Sequence, residues 1–316
     1  MKKIILLCFL LSLFSSCSRI TSKLDEFKEK VDQFQEPKIN DPELDKLTAD
    51  IQKIADESKS RVGVDAVILE TGESVSLDAA GQYPMQSVYK LPISMAVLKQ
   101  IEDGKLKFED RVKVGKEEYV RAGQHSPLRD KNPNGAEVTV RELISLAIVE
   151  SDGTASDVLM RLAGGAGAVQ NYLTSINVGE VVVANTEKEI GQNWETQYKN
   201  WATPGGATAL LRALHEQRGI SKDNRELLLK FMIESKRGLK RLKGLLPPST
   251  VVAHKTGTGG MRNGIDGTSN DIGIVTLPNG SHLAIAVFVA WSRADEPSRE
   301  ETIAKIAKTV WDKWSK

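Results

Sequence analysis

Apolar periodicity divides the chain into strand-like ends and a helix-like centre. Leu44, Leu47, Ile51 and Ile54 recur on one helical face, and Asp41 or Asp45 stands where a cap belongs. A helix is therefore expected to run to about residue 59. The stretch 61–70 alternates and is rich in Val and Ile, which predicts a strand; Thr71-Gly72-Glu73 reads as a turn and 74–79 as the returning strand. From about 85 to 245 the pattern is mostly helical, most clearly over 91–103, 139–149, 154–163, 208–217 and 224–233. Strands return over 250–256, 271–277 and 282–291. Pro278-Asn279-Gly280-Ser281 joins the last two, since Asn-Gly suits a hairpin turn with positive φ. A closing helix is expected over about 297–314.

This order predicts an α/β (α+β) fold: one antiparallel five-stranded sheet built from both ends, flanked by terminal helices, with an all-helical domain inserted. The sheet part would cover about 41–82 and 246–316, and the helical part about 83–245. A cleft between them is a usual place for a small-molecule site. The stretch from Asn185 to Pro204 has no clear period and reads as a long packed surface loop, a kind that is often functional.

The first forty residues stand apart. Lys2 and Lys3 precede an almost wholly apolar run from Ile4 to Phe14, and Ser15, Ser16 and Cys17 follow. This pattern is that of a secretory signal over 1–16, too short to span a membrane, which takes roughly 20 apolar residues. Leu13-Phe14-Ser15-Ser16-Cys17 resembles a loose bacterial lipobox, which implies cleavage before Cys17 and lipidation of its thiol. Residues 17–40 are polar, carry Phe27, Val31 and Phe34 at helix-like spacing, and are broken at Pro37. They read as a tether. The chain is expected to be exported to the periplasm and membrane-anchored. Only Cys17 would remain after cleavage, so no internal disulfide is possible and the core must hold the fold.

Composition is that of a globular protein, with 40% apolar and 27% charged residues. A net charge of +1 gives no bulk attraction to nucleic acid. A monomer is expected.

Four stretches carry possible chemistry. Ser87-Val88-Tyr89-Lys90 places a lysine three residues after a serine, on one face if Ser87 opens a helix. A serine hydroxyl needs a base to become a nucleophile, and a lysine serves if burial or nearby charge lowers its pKa. The plain alternative is a capping serine and a surface lysine. Pro92 removes an N–H early in that helix, so its first turns should be distorted. Ser151-Asp152-Gly153 sits between helices and, alone, reads best as a cap for the second. Lys255-Thr256-Gly257, followed by Thr258-Gly259-Gly260, ends a Val-rich strand. Its lysine and hydroxyl suit a carboxylate, and its glycines let a ligand approach the backbone. Glu187, in the 185–204 loop, would alone be taken for a solvated charge.

In this order and at these distances the motifs resemble the class A serine β-lactamases, whose signature they are. The similarity covers about 42–316 and extends to Tyr83-Pro84-Met85, His125-Ser126-Pro127, Val140-Arg141-Glu142-Leu143 and the Asn279-Gly280 hairpin. It implies the β-lactamase/penicillin-binding transpeptidase-like fold and hydrolysis of a small-molecule β-lactam without metal or organic cofactor. By position, Ser87 would be the nucleophile, Lys90 would help deprotonate it, and Ser151 would pass a proton to the lactam nitrogen. Lys255 and Thr256, with Gly257, would hold the substrate carboxylate. The N–H groups of Ser87 and Thr258 would form an oxyanion hole, and Glu187 would activate the deacylating water. His125 and Arg241 are further candidates for substrate contact.

Several positions depart from the family pattern. Gly153 replaces the asparagine of Ser-Asp-Asn, whose lost hydrogen bonds should weaken catalysis or shift the substrate range. Gly191 replaces the loop asparagine that helps hold the water, and Lys188 the usual proline. Asn270-Asp271-Ile272-Gly273 lacks the strand arginine that many members have, and Arg241 occupies a helix position from which some members supply that charge. The loop and Arg241-Leu242-Lys243-Gly244 look closer to the cephalosporin-leaning, extended-spectrum-like branch. Two rivals remain: a penicillin-binding D-alanyl-D-alanine peptidase, which lacks the deacylating glutamate, and an inactive ligand-binding member of the fold, suggested by Gly153. The four histidines form no ligand-spaced cluster, which argues against a zinc β-lactamase, and His254 reads as a structural hydrogen-bonder.

Overall fold

Asp41 accepts the Glu43 backbone N–H at 2.9 Å, and this cap starts helix α1, Pro42–Ser58, which buries Leu47, Ile51 and Ala55. The computed structural model describes residues 41–261, 264 and 267–316; the signal over 1–16 and the tether over 17–40, with Cys17, lie outside them. Lys46–Lys316 gather into one unit, which holds the sheet and the site described below.

Five strands form the main sheet: β1 (Arg61–Ile68), β2 (Ser74–Leu77), β3 (Val252–Gly259), β4 (Gly267–Thr276) and β5 (His282–Ser292). Their spatial order is β2-β1-β5-β4-β3, antiparallel throughout. The two ends of the chain thus meet at the β1–β5 ladder, where Val64 faces Val287. Strands β4 and β5 are buried on both faces almost throughout, which explains the apolar runs of β5 and of the second half of β4; β4 begins four residues before the expected 271 because its first half carries the buried polar residues Thr268, Ser269 and Asn270.

The central stretch supplies α2 (Lys90–Glu102), α3 (Gly153–Ala163), α4 (Glu187–Gln192) and α5 (Pro204–His215); the closing helix is α6 (Glu296–Trp314). Every residue of α2 from Lys90 to Leu98 is buried. A helix apolar all round belongs inside, and its burial fixes the first turn rigidly. That turn, Gln86–Tyr89, is 3-10 rather than α. Pro92 lacks the N–H that would close an α turn back onto Val88, which accounts for the tighter winding.

The structure refines the expected elements in three places. The 139–149 helix is α over Val140–Ser145 and then a π turn over Leu146–Glu150 that ends at Ser151 with φ of 60°. The 185–204 stretch is not irregular: it holds α4 and a 3-10 segment, Trp194–Lys199. Thr186 and Glu189 form a reciprocal capping box that sets the start of α4, a Thr-x-x-Glu signal visible in the sequence. The chain between β2 and β3 also carries a two-stranded ladder, Arg111–Val114 with Ala136–Thr139. Among the described residues no helix is long and apolar enough to cross a membrane.

Candidate active site

A cavity of about 350 Å³ opens where β3, the start of α2, the Ser151 turn and α4 converge. Ser87, Lys90, His125, Ser151, Glu187, Thr256 and Thr258 all line it.

Ser87 is held by strain and close packing. Gln86 just before it has φ of 50°, a left-handed conformation for a non-glycine residue, kept by a hydrogen bond from Gln86 Nε2 to Gln197 Oε1 at 2.7 Å. Strand β3 reaches this turn because Gly257 has no side chain. A Cβ there would meet the Met85 carbonyl and lie 3.3 Å from the Ser87 amide nitrogen. Asn270 ties the next strand to the same turn, donating through Nδ2 to the Pro84 oxygen at 2.8 Å.

Lys90 is the hub. Its buried ammonium donates to Ser87 Oγ at 2.9 Å and to the Ser151 carbonyl at 2.9 Å, and it pairs with Glu187 Oε2 at 3.2 Å. Glu187 Oε2 also accepts from Tyr89 Oη at 2.8 Å. Burial works to raise the Glu187 pKa, but the Lys90 charge and these hydrogen bonds outweigh it and hold the carboxyl below its ordinary value. Glu187 is therefore an anion at neutral pH. Burial, with the Glu187 and Asp157 charges, keeps Tyr89 far above its ordinary range, so the phenol stays a donor.

On the other side of Ser87, Lys255 Nζ donates to Ser151 Oγ and to the Thr256 carbonyl, both at 3.0 Å. Burial and the Lys90 charge push Lys255 well below its ordinary value, against the pull of Asp271. Lys255 sits behind the cavity wall and Thr256 and Thr258 face it. Asp152 is buried beneath Ser151; it caps α3 through the Ala155 N–H at 2.9 Å and accepts from Ser126 Oγ at 2.9 Å. His125 is placed at the cavity edge, with Nε2 2.9 Å from the Glu150 carbonyl. His254 is buried, with Nδ1 2.9 Å from Asp271.

Arg241 is not brought to the cavity. Its guanidinium is buried behind β3, where it donates to the Gly257 and Asn270 carbonyls at 2.9 and 3.0 Å and to Thr258 Oγ1 at 2.7 Å. It also pairs with Glu296 and Glu300, both at 3.1 Å. Its effect on a ligand would pass through the Thr258 hydroxyl. Arg237 and Arg121 line the cavity instead, and nothing in their sequence context singled them out.

Both glycine departures are filled by neighbours. A Cβ on Gly153 would lie 2.8 Å from Glu187 Cγ and 3.2 Å from the His125 carbonyl. A Cβ on Gly191 would lie 2.6 Å from Gln124 Cδ and 2.7 Å from its Nε2. The Gln124 amide, which donates to the Glu187 carbonyl, thus occupies the space that a side chain at 191 would need.

Asp157, also unanticipated, accepts the backbone N–H groups of Glu187 at 2.6 Å and Lys188 at 2.9 Å and so pins the start of α4. Burial, opposed by these hydrogen bonds and aided by the Glu187 charge, pushes its pKa up to about 7. A raised folded-state pKa gives a contribution that is complete below the unfolded value of 3.8 and is lost as pH rises through about 7. The wild-type Tm is therefore expected to lose, between pH 5 and pH 8, a component that Asp157→Asn lacks. Parallel Tm-against-pH curves for the two proteins would remove Asp157 as its source.

The chain matches the model of the β-lactamase enzyme family over residues 46–314. It is 35% identical over 272 residues to β-lactamase VEB-1 of Pseudomonas aeruginosa, covering 85% of this chain and 91% of that one. Among solved structures it is similar to TLA-3 extended-spectrum β-lactamase, at 38% identity and a TM-score of 0.84 over 86% of this chain and 100% of that one. It is also similar to a class A β-lactamase of Bacteroides cellulosilyticus DSM 14838, at 29% identity and a TM-score of 0.79 over 85% and 98%. With Ser87, Lys90 and Glu187 gathered on one cavity and Lys255 bonded to Ser151 behind it, the chain belongs to the β-lactamase enzyme family and, within it, to the class A serine β-lactamases.

Proposed function

We propose that this enzyme opens the β-lactam amide of penicillins and cephalosporins through an acyl-serine and clears it with water, conferring antibiotic resistance. One observation carries this reading: the Ser87 hydroxyl and the Glu187 carboxylate hold the same Lys90 ammonium and face the same cavity. Lys90 first passes a proton to Glu187, and the resulting amine takes the Ser87 proton as Oγ attacks the lactam carbonyl; once Ser151 has given its proton to the nitrogen, the Glu187 proton returns through Lys90 to Ser151 and leaves Glu187 ionised. The N–H groups of Ser87 and Thr258 receive the developing oxyanion, a contribution of about 3–4 kcal/mol per donor in comparable sites. Ser151, oriented by Lys255, protonates the departing nitrogen. Thr256, with the Lys255 charge behind it, takes the substrate carboxylate. Glu187 then draws a proton from water as it attacks the acyl carbon, and that proton reaches Ser87 Oγ as the acyl carbon–oxygen bond breaks. All of these groups come from one chain, which suits a monomer. The peptidase reading is not favoured, because Glu187 faces the site.

Preference for cephalosporins is the finer part of the proposal. It is supported by the sequence of the Glu187 loop and by the likeness to a structure described as extended-spectrum. Steady-state kcat/KM across a penicillin, several cephalosporins and a carbapenem tests it: cephalosporins are expected to lead, and a penicillin-only profile would contradict it. Export and tethering through a lipidated Cys17 rest on the basic-then-apolar start of the chain. Cys17→Ala is expected to move the enzyme from the membrane pellet to the soluble periplasmic fraction.

A further inference from the structure

The histidines are scattered in sequence at 125, 215, 254 and 282, yet folding brings two of them together beside a carboxylate. Glu70 follows the end of β1, His282 opens β5, and His215 ends α5. His282 Nδ1 lies 2.7 Å from Glu70 Oε1, and His215 Nε2 lies 3.9 Å from the same oxygen. The two imidazole rings are 4.6 Å apart between centroids. One ligand atom from each of the three residues lies within 4.8 Å of the other two.

We infer that Glu70, His215 and His282 form a binding site for a divalent transition-metal ion of the zinc class, separate from the catalytic cleft. A tetrahedral ion with bonds of about 2.0–2.2 Å spaces its ligand atoms roughly 3.3 Å apart. The shorter separation must open and the longer one close by about 0.6 Å each, which side-chain torsions supply. Two imidazoles and one carboxylate suit zinc, cobalt or nickel and are a poor set for magnesium or calcium. The three side chains are 40%, 20% and 32% exposed in the order Glu70, His215, His282, so solvent can complete the coordination.

The ligands are held on rigid supports. Glu70 Oε2 accepts the His282 backbone N–H at 2.9 Å, and the Leu69 N–H donates to the His282 carbonyl at 2.8 Å. Arg212 of α5 donates to the Leu69 carbonyl at 3.2 Å, which ties the His215 helix to the same strand end. Charges around the cluster are mixed: Glu70 and Glu216 favour a cation beside His215, and Arg225 opposes it. The site lies well away from the cleft. Val287 and Thr256 both pair with Asp271 and so share one level of the sheet; His282 is five residues further along β5, roughly 16 Å at about 3.3 Å per residue. An ion there would clamp the end of β1, the β4–β5 hairpin and α5 together, stabilising the native state without entering the chemistry.

The test uses the full, untagged chain stripped with chelator and then titrated with Zn²⁺ or Co²⁺. Zinc at about a hundred times its Kd should raise Tm by roughly 5 °C, and Co²⁺ should show the visible absorption of a tetrahedral site. His282→Ala and His215→Gln should each weaken zinc affinity by at least about tenfold and abolish the cobalt band, while turnover of a chromogenic cephalosporin confirms that both variants are folded. His125→Ala and Cys17→Ala should bind zinc as the parent does. Absence of any Tm rise or cobalt band, or binding that survives in both His282→Ala and His215→Gln, would overturn the assignment.

Discussion

Replacing Glu187 with alanine is expected to leave a penicillin adduct on Ser87, stoichiometric by intact mass, with kcat lowered by about 10³. The two chemical steps should separate because the variant changes them differently. Lys90 loses its 3.2 Å anionic partner but keeps Ser87 Oγ and the Ser151 carbonyl. Lys90 stays within hydrogen-bond reach of Ser87 Oγ and remains placed to take its proton. Attack on the lactam therefore survives. The attacking water loses the one carboxylate that lines the cavity among the described residues, so the acyl-enzyme persists. Rapid clearance of the adduct would remove Glu187 from deacylation. Failure to form any adduct would instead make Glu187 the base for both steps.

Gly153→Asn restores the family's usual residue, and the structure predicts that it will harm the enzyme. The new Cβ would stand 2.8 Å from Glu187 Cγ, 3.2 Å from the His125 carbonyl and 3.4 Å from Val120 Cγ1. The backbone side cannot yield, because the Gly153 N–H is bonded to that carbonyl at 2.9 Å. Glu187 must swing away from Lys90 and Tyr89. Overpacking of this kind costs about 1–3 kcal/mol, and if most of it falls on the carboxylate's position, kcat drops by up to about 10². Gly153→Ala should show much of the same loss, since the overlap begins at Cβ. Higher turnover in Gly153→Asn would contradict the steric account and show that the missing amide is what limits the enzyme.

The fold was legible where one physical signal dominated. Strand β5 and the second half of β4 stand out as Val-, Ile- and Ala-rich runs because both faces are buried, and the Asn279-Gly280 turn marks the hairpin between them. The Lys90 helix was visible from its apolar run, and Pro92 forewarned of the tightened turn at Ser87. Short elements were harder to read. Helix α4 has only six residues, too few for a period to show, although its Thr186–Glu189 box was present. The π turn before Ser151 has no sequence signature.

At the site, motif order identified Ser87, Lys90, Ser151, Lys255 and Glu187 as candidates. What motifs could not supply was compensation between distant residues. Nothing in the sequence links Gln124 to Gly191, or Glu187 to the space left by Gly153; those relations exist only once the loops pack. The same limit hid Asp157, one acidic residue among many until its carboxylate meets the first two amides of α4. It hid the turned-away Arg241 as well, whose motif position is right but whose charge is spent on β3 and α6.

The central claim is that one lysine-centred cluster carries both acylation and water-driven release. Counting turnovers of a chromogenic cephalosporin per enzyme molecule, for the wild type and Ser87→Ala, tests it most directly. The wild type should turn over many equivalents and Ser87→Ala none. A single stoichiometric burst followed by a stall would reduce the protein to an acylatable binder, and turnover surviving in Ser87→Ala would place the chemistry elsewhere.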